Sequence, residues 1–431
     1  MLKAAFLTLG CKVNQADSAA MEEVFRRAGY EIVSFSQQAD VYVVNTCVVT
    51  NVAQNKSKQM IRRAVRMSPS AIVAVCGCYA QTSPAEVKAI AGVQLVLGND
   101  KRNSIVELVE KVRASGYTDA VTLLDKQTNF EEMLSGNVEN RTRAYLKIQE
   151  GCNQYCSYCI IPYARGPVRS RSIGSITSET ERLVAQGFKE IVLIGIHLGA
   201  YGVEKNIAGK LSDAVQAVLS VKGVQRLRLG SLESIEVEER LIDLFAKDTR
   251  LCRHLHLPLQ SGCDDILQAM RRPYSTKDFT RLLRDLKNAI PGLAVTSDVI
   301  VGFPGETQLQ FEKTLSFITN AAFSDVHIFP FSARKGTPAA QMQGQITKEE
   351  KSKRVKSLAE IVEKQKEVFL QELVGKTLKI LFEQPDGNGY MSGFTQSYVK
   401  VFVPENREFL GEIKEVSISC LKDGALYGSL I

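Results

Sequence analysis

The chain predicts an α/β protein of three successive units: a doubly wound parallel-sheet domain, a partial (β/α)6 barrel and a small all-β barrel. Three observations carry that expectation. At 431 residues the chain is too long for one ordinary domain. Short apolar runs alternate with helical stretches in two separate blocks, the pattern of parallel strands covered by helices. After Gly375 the helical periodicity stops, and short strands separated by turn residues take over. The expected boundaries are 1–113 and 141–370 for the α/β units, 114–140 for a linker between them, and 371–431 for the β-barrel.

In the first block the strand candidates run from Ala4 to Leu9, Val41 to Asn45, Ile72 to Val75 and Val93 to Leu97. Helical patterns fall at Ala16 to Ala28, Val52 to Met67, Pro84 to Ile90 and Arg102 to Val112. Three strands run into cysteine: Cys11, Cys47, then Cys76 and Cys78. Ligands of open α/β sheets bind beyond the carboxyl ends of the strands, so these distant thiols are expected to converge at one edge. The alternative, that they are small buried hydrophobes, is disfavoured by their neighbours Gly10, Asn14, Asn45, Thr46 and Gly77.

Residues 114–140 are polar, include Ser135-Gly136-Asn137, and read as the linker. The second block offers strands at Tyr145 to Gln149, Ile191 to Ile196, Arg226 to Leu229, Leu255 to Leu259, Val295 to Val301 and Val326 to Phe331. Helical stretches between them include Glu179 to Gln186, Leu211 to Leu219, Val237 to Phe245 and Thr276 to Asn288. Six βα units in series fit a TIM-like partial barrel, again with ligands at the carboxyl ends of the strands. A charged amphipathic helix follows over 347–374. The tail then shows five short strands around turns such as Asp386-Gly387-Asn388-Gly389.

Composition narrows the class. A 45% hydrophobic and 23% charged chain is ordinary for a soluble globular protein, and no run is apolar for the length of a bilayer. Met1 to Gly10 lacks the features of a signal peptide, so the expected location is the cytoplasm. There, ten cysteines are expected to include metal ligands rather than disulfides. The net charge of +7 is uneven: residues 1–113 carry 14 basic and 9 acidic side chains, residues 371–431 carry 6 and 8. Lys58, Arg62 and Arg66 share one helix face, which is either solvated or contacts phosphates. His254 and His256 alternate on a strand candidate and read as polar residues of the barrel interior. Gly302-Phe303-Pro304-Gly305 lacks the Gly-Lys-Ser/Thr of a P-loop, which argues against nucleotide hydrolysis.

The most specific element is Cys152-Asn153-Gln154-Tyr155-Cys156-Ser157-Tyr158-Cys159, a CxxxCxxC loop just past the first strand of the second block. Three thiolates in one compact loop can hold three irons of a 4Fe–4S cubane and leave the fourth open to a small molecule. A zinc knuckle would pair two CxxC elements or add histidine, and neither follows nearby. Simple electron transfer is usually served by four cysteines.

With these residues the chain resembles the radical S-adenosylmethionine (SAM) methylthiotransferases, over nearly its whole length. The resemblance rests on Leu9-Gly10-Cys11-Lys12-Val13-Asn14-Gln15, Asn45-Thr46-Cys47, Gly77-Cys78-Tyr79-Ala80-Gln81 and Lys147-Ile148-Gln149-Glu150-Gly151. It extends through Ile160 to Gly166, Arg169-Ser170-Arg171-Ser172, His256 to Gly262, Gly302 to Glu306 and Ser332 to Thr337. The tail resembles the RNA-binding TRAM barrel. The motif from Leu9 to Gln15 is most like the branch acting on threonylcarbamoyladenosine in tRNA. The isopentenyladenosine branch and the ribosomal-protein aspartate branch are the nearer alternatives, and a non-catalytic iron–sulfur protein is the distant one.

The resemblance implies two 4Fe–4S clusters and SAM. Cys152, Cys156 and Cys159 would hold the cluster that cleaves SAM to a 5′-deoxyadenosyl radical, which takes a hydrogen from C2 of the modified adenine. Cys11, Cys47 and Cys78 would hold an auxiliary cluster whose sulfur is methylated by a second SAM and passed to the carbon, with Cys76 left as an extra thiol. Tyr158, Gly195, His197, Glu233, Gln260, Ser261 and Ile300 are the implied SAM contacts, each with an ordinary loop-capping role as its alternative. Arg165, Arg169 and Arg171 would bind phosphates or the SAM carboxylate, or else form surface salt bridges. The implied partners are the tRNA anticodon arm and a one-electron donor such as flavodoxin or ferredoxin, with no membrane.

Overall fold

The computed structural model describes every residue except 137–141, 205–206, 208 and 387. Its first unit is a six-stranded, wholly parallel sheet of β1 (Lys3–Thr8), β2 (Glu31–Val33), β3 (Val41–Thr46), β4 (Ile72–Gly77), β5 (Leu95–Leu97) and β6 (Thr118–Ala120). The strand order is β2-β1-β3-β4-β5-β6. The chain turns back between β1 and β3, which makes their carboxyl ends the switch-point crevice of a doubly wound sheet. β3 and β4 are buried along their whole length, and the sheet has separate apolar clusters on its two faces. Continuous valine-rich runs rather than alternation are what such two-sided burial requires.

The segment expected to be a linker behaves differently. β6 pairs with β5, so the sheet ends past residue 113. Further on, the Glu131 carboxylate accepts from Arg102 Nε and Asn103 N, both at 2.8 Å, and Ser135 N donates to Glu179 Oε1 at 2.6 Å. Polar residues here satisfy groups of both neighbouring units instead of spanning solvent. Its last four residues, the expected start of the second unit at 141 and Gly387 of the tail turn lie outside the described residues.

The second unit carries β7 (Arg143–Lys147), the short antiparallel pair β8 (Gln149–Glu150) and β9 (Arg169–Ser170), then β10 (Glu190–Ile194), β11 (Arg226–Leu229), β12 (His254–His256), β13 (Ala294–Val301) and β14 (Asp325–Pro330). Parallel pairing orders them β7-β10-β11 and β12-β13-β14, and single bridges Leu227–Leu251 and Ser231–His256 join the two triplets. The result is a six-stranded arc, a barrel left open between β7 and β14. Its leucine-rich outer face packs under the helices as the largest core.

The third unit closes β15 (Thr377–Pro385), β16 (Tyr390–Phe394), β17 (Lys400–Pro404), β18 (Ile413–Lys422) and β19 (Ala425–Leu430) into a five-stranded barrel. Among the described residues no helix is long and apolar enough to cross a membrane.

Candidate active site

One loop and three strand ends gather six thiols into two groups. The loop after β8 begins at Gly151, whose φ of +77° and lack of a Cβ let Pro167 O come where a methyl would sit at 1.9 Å. Cys152 N donates to Gly166 O at 3.0 Å, and Ser157 is clamped from both sides, to Met270 O at 3.0 Å and from Ala339 N at 2.8 Å. So tied, the loop brings Cys152, Cys156 and Cys159 within electrostatic reach of one another. Burial pushes the Cys159 thiol up to about 12.

The second group forms at the switch-point crevice. Cys11 follows β1 and opens the helix Lys12–Arg27, Cys47 follows β3, and Cys78 follows β4 at the head of the short helix Cys78–Thr82. Loss of solvation raises the Cys11 thiol, while Arg165 and the Asn14 and Val13 N–H groups at the amino end of the longer helix pull against that. Gly10 sits at φ +101° with Cys47 Sγ 3.1 Å from where its Cβ would lie, so only glycine lets the two loops close up. Asn14 holds them together, donating to Leu9 O at 2.7 Å and Thr46 O at 3.0 Å. Contrary to the expectation of open thiols, Cys47 and Cys78 are buried, while Cys11 is exposed. Burial lifts Cys47 to about 11. Cys76 points the other way, into the apolar cluster with Leu95 and Leu97 on the opposite face of the sheet.

The donor sets suit iron–sulfur clusters. Each offers three thiols, none of them in a disulfide, and each receives a buried arginine. Arg165 Nε donates to Cys78 Sγ at 3.2 Å and Arg272 Nη1 to Cys156 Sγ at 3.5 Å. A cationic donor on a ligand sulfur stabilises the anionic thiolate that a metal needs.

The two groups are held on one body. Asp17, Glu150, Arg102, Arg165 and Lys147 form a buried network across the junction of the first two units. Arg165 Nη1 lies 2.9 Å from both Asp17 Oδ2 and Glu150 Oε1, and Glu150 stands two residues before Cys152. A second clasp joins Arg334 to Asn51 and Gln54, at the start of the helix after Cys47.

Family models match the chain in the same three parts: Uncharacterized protein family UPF0004 over residues 3–98, the Radical SAM superfamily over 146–318 and the TRAM domain over 371–431. The threonylcarbamoyladenosine tRNA methylthiotransferase of Bacillus subtilis is 42% identical over 99% of this chain and 95% of its own length. The chain belongs to the radical SAM tRNA methylthiotransferase family. The enzyme of the same name from Thermotoga maritima is 36% identical over 96% of this methylthiotransferase and 94% of its own length. A tRNA-2-methylthio-N(6)-dimethylallyladenosine synthase from Desulfitobacterium hafniense is 32% identical over 99% and 97%. Among solved structures, the radical SAM methyltransferase TsrM of Kitasatospora setae, with cobalamin and a [4Fe-4S] cluster bound, shares the fold at a TM-score of 0.58. That match has 17% identity and covers 79% of this chain and 77% of that one. The methylthiotransferase is thus an enzyme whose cofactors are SAM and 4Fe–4S clusters.

The other sequence-predicted residues of the methylthiotransferase divide. His197 Nδ1 lies 3.4 Å from Cys152 Sγ, its Nε2 lies 2.8 Å from Glu236, and its backbone is held by Gln149 Oε1 at 2.8 Å. Burial disfavours its charge, but Cys152 and Glu236 outweigh that and raise it to about 10. Gly195 is required where it stands, since a Cβ would lie 2.7 Å from Gln149 Oε1. Glu233 pairs with Arg272, and Tyr158 lies beside both and beside Cys156 and Cys159. Ile300 packs against the Phe303–Phe331 cluster that also holds Tyr158. Gln260 takes a positive φ of 69°, bridging Asp298 O and Ile300 N with its backbone.

Two of these residues are taken up by the protein itself. Ser261 is fully buried and its hydroxyl meets Thr314 and Cys263 N, so it caps structure instead of facing a ligand. Arg165 is fully buried and spent on Cys78, Asn14, Asp17 and Glu150, which leaves nothing for a phosphate or the SAM carboxylate. Arg169 and Arg171 are buried too, so none of the three forms a surface salt bridge. Sequence reading missed Arg272 and Asn99, whose Nδ2 lies 3.7 Å from Cys78 Sγ. Arg272 lies 113 residues past Cys159 with no spacing signal, and only the closing of the arc brings it to Cys156.

Proposed function

We propose that the enzyme inserts a methylthio group at C2 of N6-threonylcarbamoyladenosine beside the tRNA anticodon. One observation carries the reading: two separate cysteine trios, on two units locked together by a buried charge network, in a chain whose relatives of 42% and 36% identity bear that activity in their names. Cys152, Cys156 and Cys159 would hold the SAM-cleaving cluster, and Cys11, Cys47 and Cys78 the auxiliary one. When bound, these groups supply the electron that cleaves SAM for hydrogen abstraction and the sulfur that is methylated and transferred.

The chain's own share is position. Arg272 and Arg165 each place a guanidinium on one ligand sulfur. Tyr158 and Ile300 wall the first site with apolar surface, which keeps water from a reactive carbon. His197 and the Glu233–Arg272 pair set opposite charges beside Cys152 and Cys156, suited to the carboxylate and amino ends of a methionine group. The exposed Arg62 and Arg66 on the helix Asn51–Met67, the helix that Cys47 precedes, suit the phosphates of the anticodon arm. The electron enters from a one-electron donor such as flavodoxin or ferredoxin.

Nucleoside mass spectrometry of tRNA from cells lacking the gene tests the reading. Loss of the 2-methylthio form of threonylcarbamoyladenosine is expected. Loss of the dimethylallyl analogue instead would replace the substrate.

A further inference from the structure

We propose that His256, Asp298 and His327 form a polar subsite on the concave face of the arc that receives the threonylcarbamoyl headgroup. This rests on the substrate reading above and deepens it. The three residues lie on the adjacent parallel strands β12, β13 and β14. Asp298 is in register with His327, and His256 with Thr296, so alternation puts all of them on one face. The residues between, Leu255, Leu257, Val299, Val326 and Ile328, point to the apolar core under the helices, which leaves this face as the inner one.

One ligand atom from each of the three lies within 4.8 Å of the others. His256 is fixed in place. Its Nδ1 meets Thr296 Oγ1 at 2.9 Å, its Nε2 lies 3.2 Å from Asp298 Oδ2, and Thr296 is held in turn by His254 Nε2 at 3.0 Å. His327 is exposed on the inner face, with its ring 5.8 Å from that of His256. With His256 already paired to Asp298 and to Thr296, the cluster offers both donors and acceptors to an organic group.

Packing links the subsite to the cysteine loop on one side and to Lys12 on the other. One inner-face step beyond Asp298 on β13 is Ile300, which packs with Tyr158 of the cysteine loop. On the other side Lys12, next to Cys11, holds its ammonium 5.4 Å over the ring of Tyr398, and that ring lies 5.2 Å from His254. One inner-face step beyond His327 is Phe329, an aromatic left 45% exposed and able to stack on a base.

The chemistry selects the occupant. A threonylcarbamoyl group offers a carboxylate, a hydroxyl, urea N–H donors and a carbonyl. His327 and Lys12 can donate to the carboxylate, and Asp298 can accept from the hydroxyl or the urea. A dimethylallyl group offers none of these, and packing it here would strip the imidazoles and the carboxylate of water without return.

The test uses the cluster-loaded enzyme and synthetic anticodon stem-loop RNAs carrying threonylcarbamoyladenosine, its methyl ester or dimethylallyladenosine. Kd is read by fluorescence anisotropy, and KM and kcat by mass spectrometry of the product. Expected is a rise of about tenfold in Kd and KM for the acid in His327→Ala and in Asp298→Asn, with the ester far less affected by His327→Ala, equally affected by Asp298→Asn, and His327→Arg restoring the acid. Unchanged Kd and KM for the acid in both variants, at wild-type iron content, would overturn the subsite alone. Wild-type activity on dimethylallyladenosine RNA and none on the acid would remove the substrate reading and the subsite with it.

Discussion

Arg165 ties the first two units together beside Cys78. Its Nε serves Cys78, and its Nη1 is shared by Asp17 of the first unit and Glu150 of the second. Removing one partner of a buried ion network leaves charge without compensation, so Arg165→Gln should lower stability by about 3–5 kcal/mol. It should also move the reduction potential of the Cys78 cluster down, because a donor to a ligand sulfur favours the reduced state. Denaturant unfolding and an EPR-monitored redox titration check the two effects. The same network sets acid stability. Burial opposes ionisation of Asp17 and Glu150, but the surrounding Arg102, Lys147 and Arg165 hold both carboxyls below their ordinary values. Their contribution is therefore complete above about pH 4–5 and is lost as the pH falls through the folded values. The unfolding midpoint of the wild type should drop below that window, whereas in Arg165→Gln, whose folded carboxyls are less depressed, the acid-dependent part of the drop should be smaller. The two neighbouring cysteines separate just as clearly. Cys76 is core and Cys78 faces the crevice. Cys76→Ala should keep about eight irons per chain after anaerobic reconstitution, and Cys78→Ala about four. Eight irons in Cys78→Ala would dissolve the second trio.

At the scale of elements, the strand ends do the positioning. Gly77 turns β4 into the helix that starts at Cys78, at φ +89°, with Asn45 Oδ1 2.3 Å from where a Cβ would lie. Gly77→Ala meets both a left-handed backbone and a clash, and should cost more than the roughly 1–2 kcal/mol of the backbone strain alone. Iron analysis should show the auxiliary cluster lost while SAM cleavage in the absence of RNA continues; retention of both clusters would mean that the turn shifts without harm. Such turns also explain what the sequence made legible. β3 and β4 were readable because buried parallel strands are near-continuous apolar runs. β2 and β6 were not, because each has three residues at a sheet edge and takes its conformation from its neighbour. The short helix Cys78–Thr82 has too few residues to show a period. The cysteines were legible by spacing and strand position. Arg272 and Asn99 were not, since each meets the site only through packing of distant segments.

For the whole molecule, the open arc is completed by its neighbours. Val13 and Ala16 of the first unit pack on Val192, Ile194 and Tyr145 inside it. The terminal barrel plugs the region around β11 with backbone carbonyls. Arg226 donates to Phe394 O at 3.0 Å and Lys379 O at 2.6 Å, and Arg228 to Gln396 O at 3.0 Å and Thr395 O at 3.1 Å. Both arginines are balanced by the fully buried Glu190. Two acidic side chains of the tail add to these carbonyl contacts, Glu383 pairing with Arg143 and Glu412 with Lys189. The barrel then stands where Tyr398 meets Lys12 and His254. Arg228→Ala should release it: Glu190 loses its nearer partner, and two carbonyls lose their donors. The expected readout is faster hydrogen exchange across Thr377–Leu430 and quicker proteolysis between residues 372 and 376, with the two α/β units unchanged. Affinity for tRNA should fall in parallel, because a freed barrel no longer presents its face beside the arc. Wild-type protection of the barrel strands in Arg228→Ala would place the docking energy elsewhere, in the Arg143–Glu383 and Lys189–Glu412 pairs at its edge.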